Sequence, residues 1–211
     1  MSTSTKNFSS NARVKVGHVG LFFDRDGTLN TEVDYLSRPE ELKLIPNAAR
    51  AIREANEFGV KVFIFTNQSG IARGLFTETD LAAIHERMIA LLAKEGARVD
   101  AIYFCPHHPG YGTTPYKRDC DCRKPKPGML RMAREEHGIH LSRSFVIGDR
   151  CIDMQAGKSA GCRTALVLTG YGEVERAECM ENRAVDFVAA DAYEAWKQIR
   201  NLLVKQAVES K

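Results

Sequence analysis

The sequence predicts an α/β protein with a three-layer, Rossmann-like arrangement: a mostly parallel central sheet covered by helices. Two observations carry this. Short apolar runs alternate with helical stripes along almost the whole chain, the rhythm of βαβ units. Most of the conspicuous polar segments follow apolar runs, the place where ligands gather beyond the C-terminal ends of parallel strands. A length of 211 residues is enough for one substantial core, and no internal repeat or linker divides it. The expected organisation is a loose polar tail over residues 1–17, then a single domain over 18–211.

The elements follow in order. Residues 18–23 read as the first strand. Ala48, Ile52, Ala55 and Phe58 line a helix that Gly59 caps, and 60–66 form the second strand. Thr77 with Asp80 forms an N-terminal cap for the stripe of Leu81, Ile84, Met88, Leu91 and Leu92, which stops near Gly96. A third strand spans 101–104, and a Gly/Pro/Tyr-rich insertion follows over 106–127. Beyond it lie a short helix over 129–137 and a strand over 145–147 ending at Gly148. Ala156 and Ala160 belong to the next short helix; then come a strand over 164–168 and an edge strand over 185–188. Ala195, Trp196, Ile199, Leu202 and Leu203 define a final amphipathic helix. The insertions after Gly27 and Phe104 are the only candidates for a lid or rim, so the cap is minimal.

Composition narrows the function. With 44% hydrophobic and 27% charged residues, the chain reads as a soluble globular protein. Its 30 basic and 27 acidic side chains give a net charge of +3 with no long Lys/Arg stripe, which argues against a nucleic-acid partner. No apolar run approaches the roughly 20 residues that span a bilayer, and the N-terminus lacks a signal-peptide hydrophobic stretch. The protein is therefore expected in the cytoplasm, off the membrane, and as a monomer.

Four segments bear the chemistry. In Leu21–Asn30, LFFDRDGTLN, period-two geometry after an apolar run brings Asp24 and Asp26 to one side. Such a pair repels unless a cation or a divided protonation state relieves it. One carboxylate can then attack phosphorus while the other shuttles a proton. Taken alone, the pair also fits an exposed strand end or a metal-nucleotide site of a glycosyl transferase. Thr66 and Asn67, at the head of TNQSG, offer neutral donors to phosphate oxygens, or simply cap a turn. Arg123 and Lys124, in RKPKPG, supply a fork and a fixed charge for an anion, with Lys126 left as a solvated neighbour. Asp149 ends the run FVIGD, where it can complete a hard-cation Mg²⁺ site with Asp24 and the backbone carbonyl of Asp26. Asp153 either orients a metal-bound water or caps its helix.

Six cysteines divide into two groups. Cys105, Cys120 and Cys122 cluster with His107, which matches tetrahedral Zn²⁺ held by three thiolates and one imidazole. His107 shares side-chain parity with Cys105 in an extended segment, which favours it over His108. A closed four-ligand site is structural. Cys151, Cys162 and Cys179 are read as free thiols. His18, His85, His137 and His140 have no evident partner, and Met129 and Met132 are read as packing residues.

In this order the segments resemble the haloacid dehalogenase-type (HAD) phosphohydrolases, over roughly residues 18–170. That resemblance implies Asp24 as nucleophile, Asp26 as general acid/base, Thr66 and Lys124 on the phosphoryl group, and Asp149 on Mg²⁺. DRDGTLN, TNQSGIARG, CPHHP with CDCRKPKPG, and GDRCIDMQAG further resemble a narrower family, the heptose bisphosphate phosphatases. The narrower likeness implies zinc on Cys105, His107, Cys120 and Cys122, phosphate recognition by Arg123, and a phosphorylated sugar as substrate. Arg150 stands where that family often has Lys. Arg73 is either a contact to one end of the substrate or a charge on a helix face. Histidinol-phosphate phosphatase is the nearest alternative, for which Glu32 and Asp34 on the rim would matter more. A nucleic-acid 3′-phosphatase fits less well, and a zinc-stabilised interaction domain has no need for the full acid–lysine set.

Overall fold

The computed structural model describes residue 16 and residues 18–209. Its centre is a six-stranded sheet in the order β3-β2-β1-β4-β5-β6, and every adjacent pair is parallel. The strands are β1 (Gly20–Phe23), β2 (Lys61–Asn67), β3 (Ala101–Cys105), β4 (Phe145–Gly148), β5 (Arg163–Val167) and β6 (Phe187–Ala189). Six helices connect and follow them: α1 (Ala48–Phe58), α2 (Glu78–Lys94), α3 (Gly128–His137), α4 (Cys151–Ser159), α5 (Gly172–Glu181) and α6 (Ala192–Glu209).

Strand alternation sorts the core into two faces. Leu21, Phe23, Val62, Ile64, Phe145 and Ile147 pack with the apolar sides of α1, α2 and α6. Phe22, Phe63, Phe65, Val146 and Leu166 point the other way and meet α3, α4 and Cys179 of α5. The expected three layers are therefore present. Strand order reverses between β1 and β4, and the crevice at such a switch point opens beyond their C-terminal ends.

The predicted caps form. Gly59 closes α1 in the left-handed conformation, and Thr77 and Asp80 make a reciprocal capping box at α2. Several expectations need correction. Val16, assigned to the loose tail, is buried against the first core face; the rest of that tail lies outside the described residues. Helix α5 and a 3₁₀ turn at Pro39–Glu41 were not anticipated, because their apolar patterns are weak. Met132 is 44% exposed and packs little, unlike buried Met129.

The cysteine reading also changes. Cys151 and Cys179 form a disulfide that ties the start of α4 to α5, leaving Cys162 as the one free thiol of the three. A separation of 28 residues hides the pair from any spacing rule. Two histidines gain local partners: the His18 ring nitrogen meets the Gly138 carbonyl at 2.9 Å, and His137 meets the Phe63 ring edge-on.

Candidate active site

Strand β1 stops at Phe23, and Asp24 continues its pairing by donating its N–H to the Ile147 carbonyl at 2.9 Å. The chain then bends at Arg25, so the turn, not the pleat expected from sequence, sets where Asp26 lies relative to Asp24. Beyond β4, Asp149 is fully buried, and its carboxylate accepts from Thr28 Oγ1 at 3.3 Å and Tyr171 N–H at 2.9 Å. Gly27 and Gly170, both at positive φ, make room for it; a Cβ at either would collide with that carboxylate.

Asp24, Asp149 and Asp153 form one buried cluster, each offering an oxygen within 4.8 Å of the others. Lys124 enters it from the loop before α3. Its Nζ lies 2.7 Å from Asp24 Oδ1 and 2.6 Å from Asp153 Oδ1, and it donates to the Phe65 carbonyl at 3.2 Å. Burial opposes the charge on Lys124, but Asp153 and Asp24 more than offset this and raise its pKa. Asp153 also accepts from the Arg150 N–H at the start of α4, so the capping role joins an unforeseen ion pair.

One lysine does not balance three carboxylates. Burial, with Asp153 adding repulsion and Lys124 opposing it, pushes Asp24 up to about 7. Burial with Asp24 and Asp153 pushes Asp149 up to about 9. An excess of buried oxygen ligands and negative charge fits a hard divalent cation, which favours their ionised forms.

Asp26 sits differently. Arg25, only 1% exposed, grips both its oxygens, with Nη2 2.7 Å from Oδ2; Asn30 and Gln68 donate at 2.9 and 3.0 Å. Burial raises its pKa, but Arg25 and these donors outweigh that and hold it below the usual carboxylate value. Arg25 also lies 3.4 Å from Nε2 of His85, which burial and the adjacent guanidinium push down to about 3. His85 thus has a partner after all, and its neutral ring backs the arginine. An arginine between two acids of one motif was the available signal for this arrangement.

Thr66, at the end of β2, is buried with its Oγ1 accepting from Gln68 at 2.8 Å. Asn67, expected on phosphate, commits its side chain elsewhere: it donates to the Lys124 carbonyl at 3.2 Å and accepts the Lys124 N–H at 3.1 Å. This reciprocal clasp fixes the backbone that carries the lysine. Arg123 donates to the His107 carbonyl at 3.2 Å. Lys126 pairs with Asp119 at the surface, as its bland reading required. Arg73 lies in the turn after β2, not on a helix face.

Cys105 at the end of β3, His107, Cys120 and Cys122 converge as a second cluster. Sulfur–sulfur distances are 3.1, 3.3 and 3.5 Å, and His107 Nδ1 lies 3.4 Å from Cys122. Zn–S bonds of about 2.3 Å imply ligand separations of roughly 3.8 Å in a tetrahedron, so the four side chains would spread slightly to take up one ion.

Known proteins share this arrangement. The HAD-hydrolase-like family profile matches residues 121–195. A D-glycero-beta-D-manno-heptose-1,7-bisphosphate 7-phosphatase of Photorhabdus laumondii is 41% identical over 174 residues, covering 82% of this chain and 93% of the relative. The chain belongs to the heptose bisphosphate phosphatase family. The family member of Escherichia coli K12 is 41% identical over 159 residues, covering 75% of this chain and 83% of its own. Among solved structures, the D,D-heptose 1,7-bisphosphate phosphatase of B. bronchiseptica, complexed with magnesium and phosphate, superposes with a TM-score of 0.79 at 35% identity, covering 87% and 98% of the two chains. The corresponding Burkholderia thailandensis enzyme gives 0.62 at 30% identity, covering 85% and 97%. Heptose bisphosphate phosphatases are HAD enzymes, so the chain is a phosphatase with an α/β fold. Among the described residues no helix is long and apolar enough to cross a membrane.

Proposed function

We propose that this phosphatase removes the C7 phosphate of D-glycero-D-manno-heptose 1,7-bisphosphate through an aspartyl-phosphate on Asp24, leaving the C1 phosphate in place. The observation that carries this reading is the buried ion pair of Lys124 with Asp24, beside Asp149. The names of the relatives support the substrate.

Asp24, Asp149 and the Asp26 carbonyl hold Mg²⁺, in keeping with the magnesium bound by the B. bronchiseptica enzyme. When bound, that ion offsets the repulsion between an anionic nucleophile and an anionic phosphate. Lys124 supplies the second positive charge, and its exchange of Asp24 for a phosphoryl oxygen frees the carboxylate to attack. Thr66 and the backbone at Asn67 hold the remaining oxygens. Asp26 gives a proton to the departing sugar oxygen and takes one from the water that hydrolyses the intermediate. Its low resting pKa means that this proton arrives with the substrate, since a nearby anion disfavours the carboxylate. Zinc on Cys105, His107, Cys120 and Cys122 braces the loop that aims Arg123 and Lys124.

The enzyme is a cytoplasmic monomer with one catalytic domain over residues 18–211 and no nucleic-acid partner. Phosphate release with Mg²⁺ tests the chemistry: Asp24→Asn abolishes turnover, and residual activity near wild type would remove Asp24 as nucleophile. The heptose bisphosphate should be hydrolysed with far higher kcat/KM than histidinol phosphate. The reverse ranking would transfer the enzyme to that substrate.

A further inference from the structure

The mechanism makes no use of the Cys151–Cys179 bridge, although Cys151 opens α4 just beyond Asp149 and Arg150. Both sulfurs belong to buried residues, and Cys179 is fully buried. Among the residues of α5 only Gly172 and Cys179 are buried, so the bridge is this helix's main anchor. Its remaining ties run to the same end of α4. Glu175 accepts the Cys151 N–H at 2.7 Å and pairs with Arg150 at 2.8 Å, and the Arg150 guanidinium lies 4.9 Å from the centre of the Tyr171 ring.

The start of α5 reaches the reaction centre. Tyr171, just before Gly172, donates its N–H to Asp149 Oδ2 at 2.9 Å, the shorter of the two hydrogen bonds that hold this carboxylate. Sulfur bridge, helix start and buried acid therefore form one connected unit. A helix with so little apolar burial is the kind of element that opens locally at low cost, which exposes the bridge to a small thiol. In the cytoplasm, the location proposed above, glutathione and thioredoxin-type systems keep thiols reduced, and the disulfides found there are mostly transient, catalytic or redox-sensing.

We propose that Cys151 and Cys179 are a reversible thiol–disulfide site that sets the enzyme's demand for Mg²⁺: the bridged form holds Asp149 ready for the ion, and the dithiol form binds it more weakly. This rests on the placement of Mg²⁺ at Asp149. The reductant is a dithiol. One of its thiolates attacks a bridge sulfur, the Cys151–Cys179 bond breaks, and a mixed disulfide forms. Its second thiol then displaces the protein sulfur. Two electrons and two protons pass to Cys151 and Cys179, and the dithiol leaves as a disulfide. Freed from its anchor, α5 withdraws the Tyr171 N–H from Asp149 and Glu175 from Arg150.

Mg²⁺ titrations of phosphate release by zinc-loaded enzyme, with and without dithiothreitol, test this, while alkylation and peptide mass spectrometry report the state of the two cysteines. The reduced enzyme should need about tenfold more Mg²⁺ for half-maximal rate, the scale of one lost hydrogen bond to a charged group. Its rate at saturating Mg²⁺ should be nearly unchanged, and reoxidation should restore the original demand. The double variant Cys151→Ser with Cys179→Ser should match the reduced enzyme under both conditions. Three results would overturn the inference: an unchanged Mg²⁺ demand after verified reduction, a bridge that dithiothreitol does not open in the folded enzyme, or a dithiothreitol response that persists in the double variant and so belongs to the other cysteines. A wild type indifferent to Mg²⁺ would overturn both this site and the metal reading it rests on.

Discussion

Lys124 is the point where the electrostatics of individual residues meet. Its 2.6 and 2.7 Å contacts to Asp153 and Asp24 cannot neutralise Asp149 as well, so the Mg²⁺-free protein keeps protons on Asp24 and Asp149 at higher pH than the unfolded chain does. A raised carboxyl pKa means the folded state binds more protons above pH 4, so stability falls as pH rises toward the folded values of about 7 and about 9. His85 acts oppositely, since its pKa of about 3 lets stability grow with pH only up to the ordinary value of 6.5. Thermal melts of zinc-loaded, Mg²⁺-free protein should therefore show Tm dropping between about pH 6.5 and 9. Added Mg²⁺ should raise Tm more at pH 8.5 than at pH 5.5, and a pH-independent increment would contradict this balance. Arg25→Met should cost about 3 kcal/mol in urea unfolding, because the partly buried Asp26 loses its guanidinium. The acids and lysine of the motifs were legible in the sequence because their chemistry is local. The contact of Arg25 with His85 and the pairing of Asp153 with Lys124 were not, because they depend on side chains brought together from separate segments.

Two elements hold this centre from outside. The loop between β3 and α3 is tied by the Cys105, His107, Cys120 and Cys122 cluster, and by the Asn67 clasp on the Lys124 backbone. Removing the proposed zinc with a chelator should release Arg123 and Lys124 together, so phosphatase activity disappears while far-UV circular dichroism changes little. Full activity in zinc-free protein with Mg²⁺ restored would refute the bracing role. On the other side, the Cys151–Cys179 bridge pins α5 to α4, where Glu175 accepts the Cys151 N–H at 2.7 Å and pairs with Arg150 at 2.8 Å. For a closed loop of 28 residues, Cys179→Ser should cost about 3–4 kcal/mol, read as a lower urea midpoint. The cysteine–histidine cluster stood out because its members crowd together in sequence. The bridge did not, since two cysteines on different helices, 28 residues apart, share no periodic signal.

At the scale of the whole molecule, two core faces on one sheet support a catalytic edge that contributes little packing of its own. The alternation of apolar runs and helical stripes made this architecture readable, because burial on both sides leaves few polar interruptions. Helix α5 escaped because it buries little beyond Cys179 and Gly172. Trp196, the sole tryptophan, is fully buried on α6 and meets Phe58 edge-on, far along the chain from the motifs. Trp196→Ala should cost about 3–5 kcal/mol yet leave the KM of the folded enzyme unchanged, as urea titration and kinetics at low temperature would show. The contiguous stretch from Cys105 to Lys124 joins the cysteine–histidine cluster, a rim tyrosine, Arg123 and the buried lysine. Such a stretch behaves as a cassette. Grafted into a related fold that keeps its own acids, it would carry the lysine and the loop that aims it across in a single exchange, and a lineage could diversify by swapping that module without redesigning the packed sheet beneath.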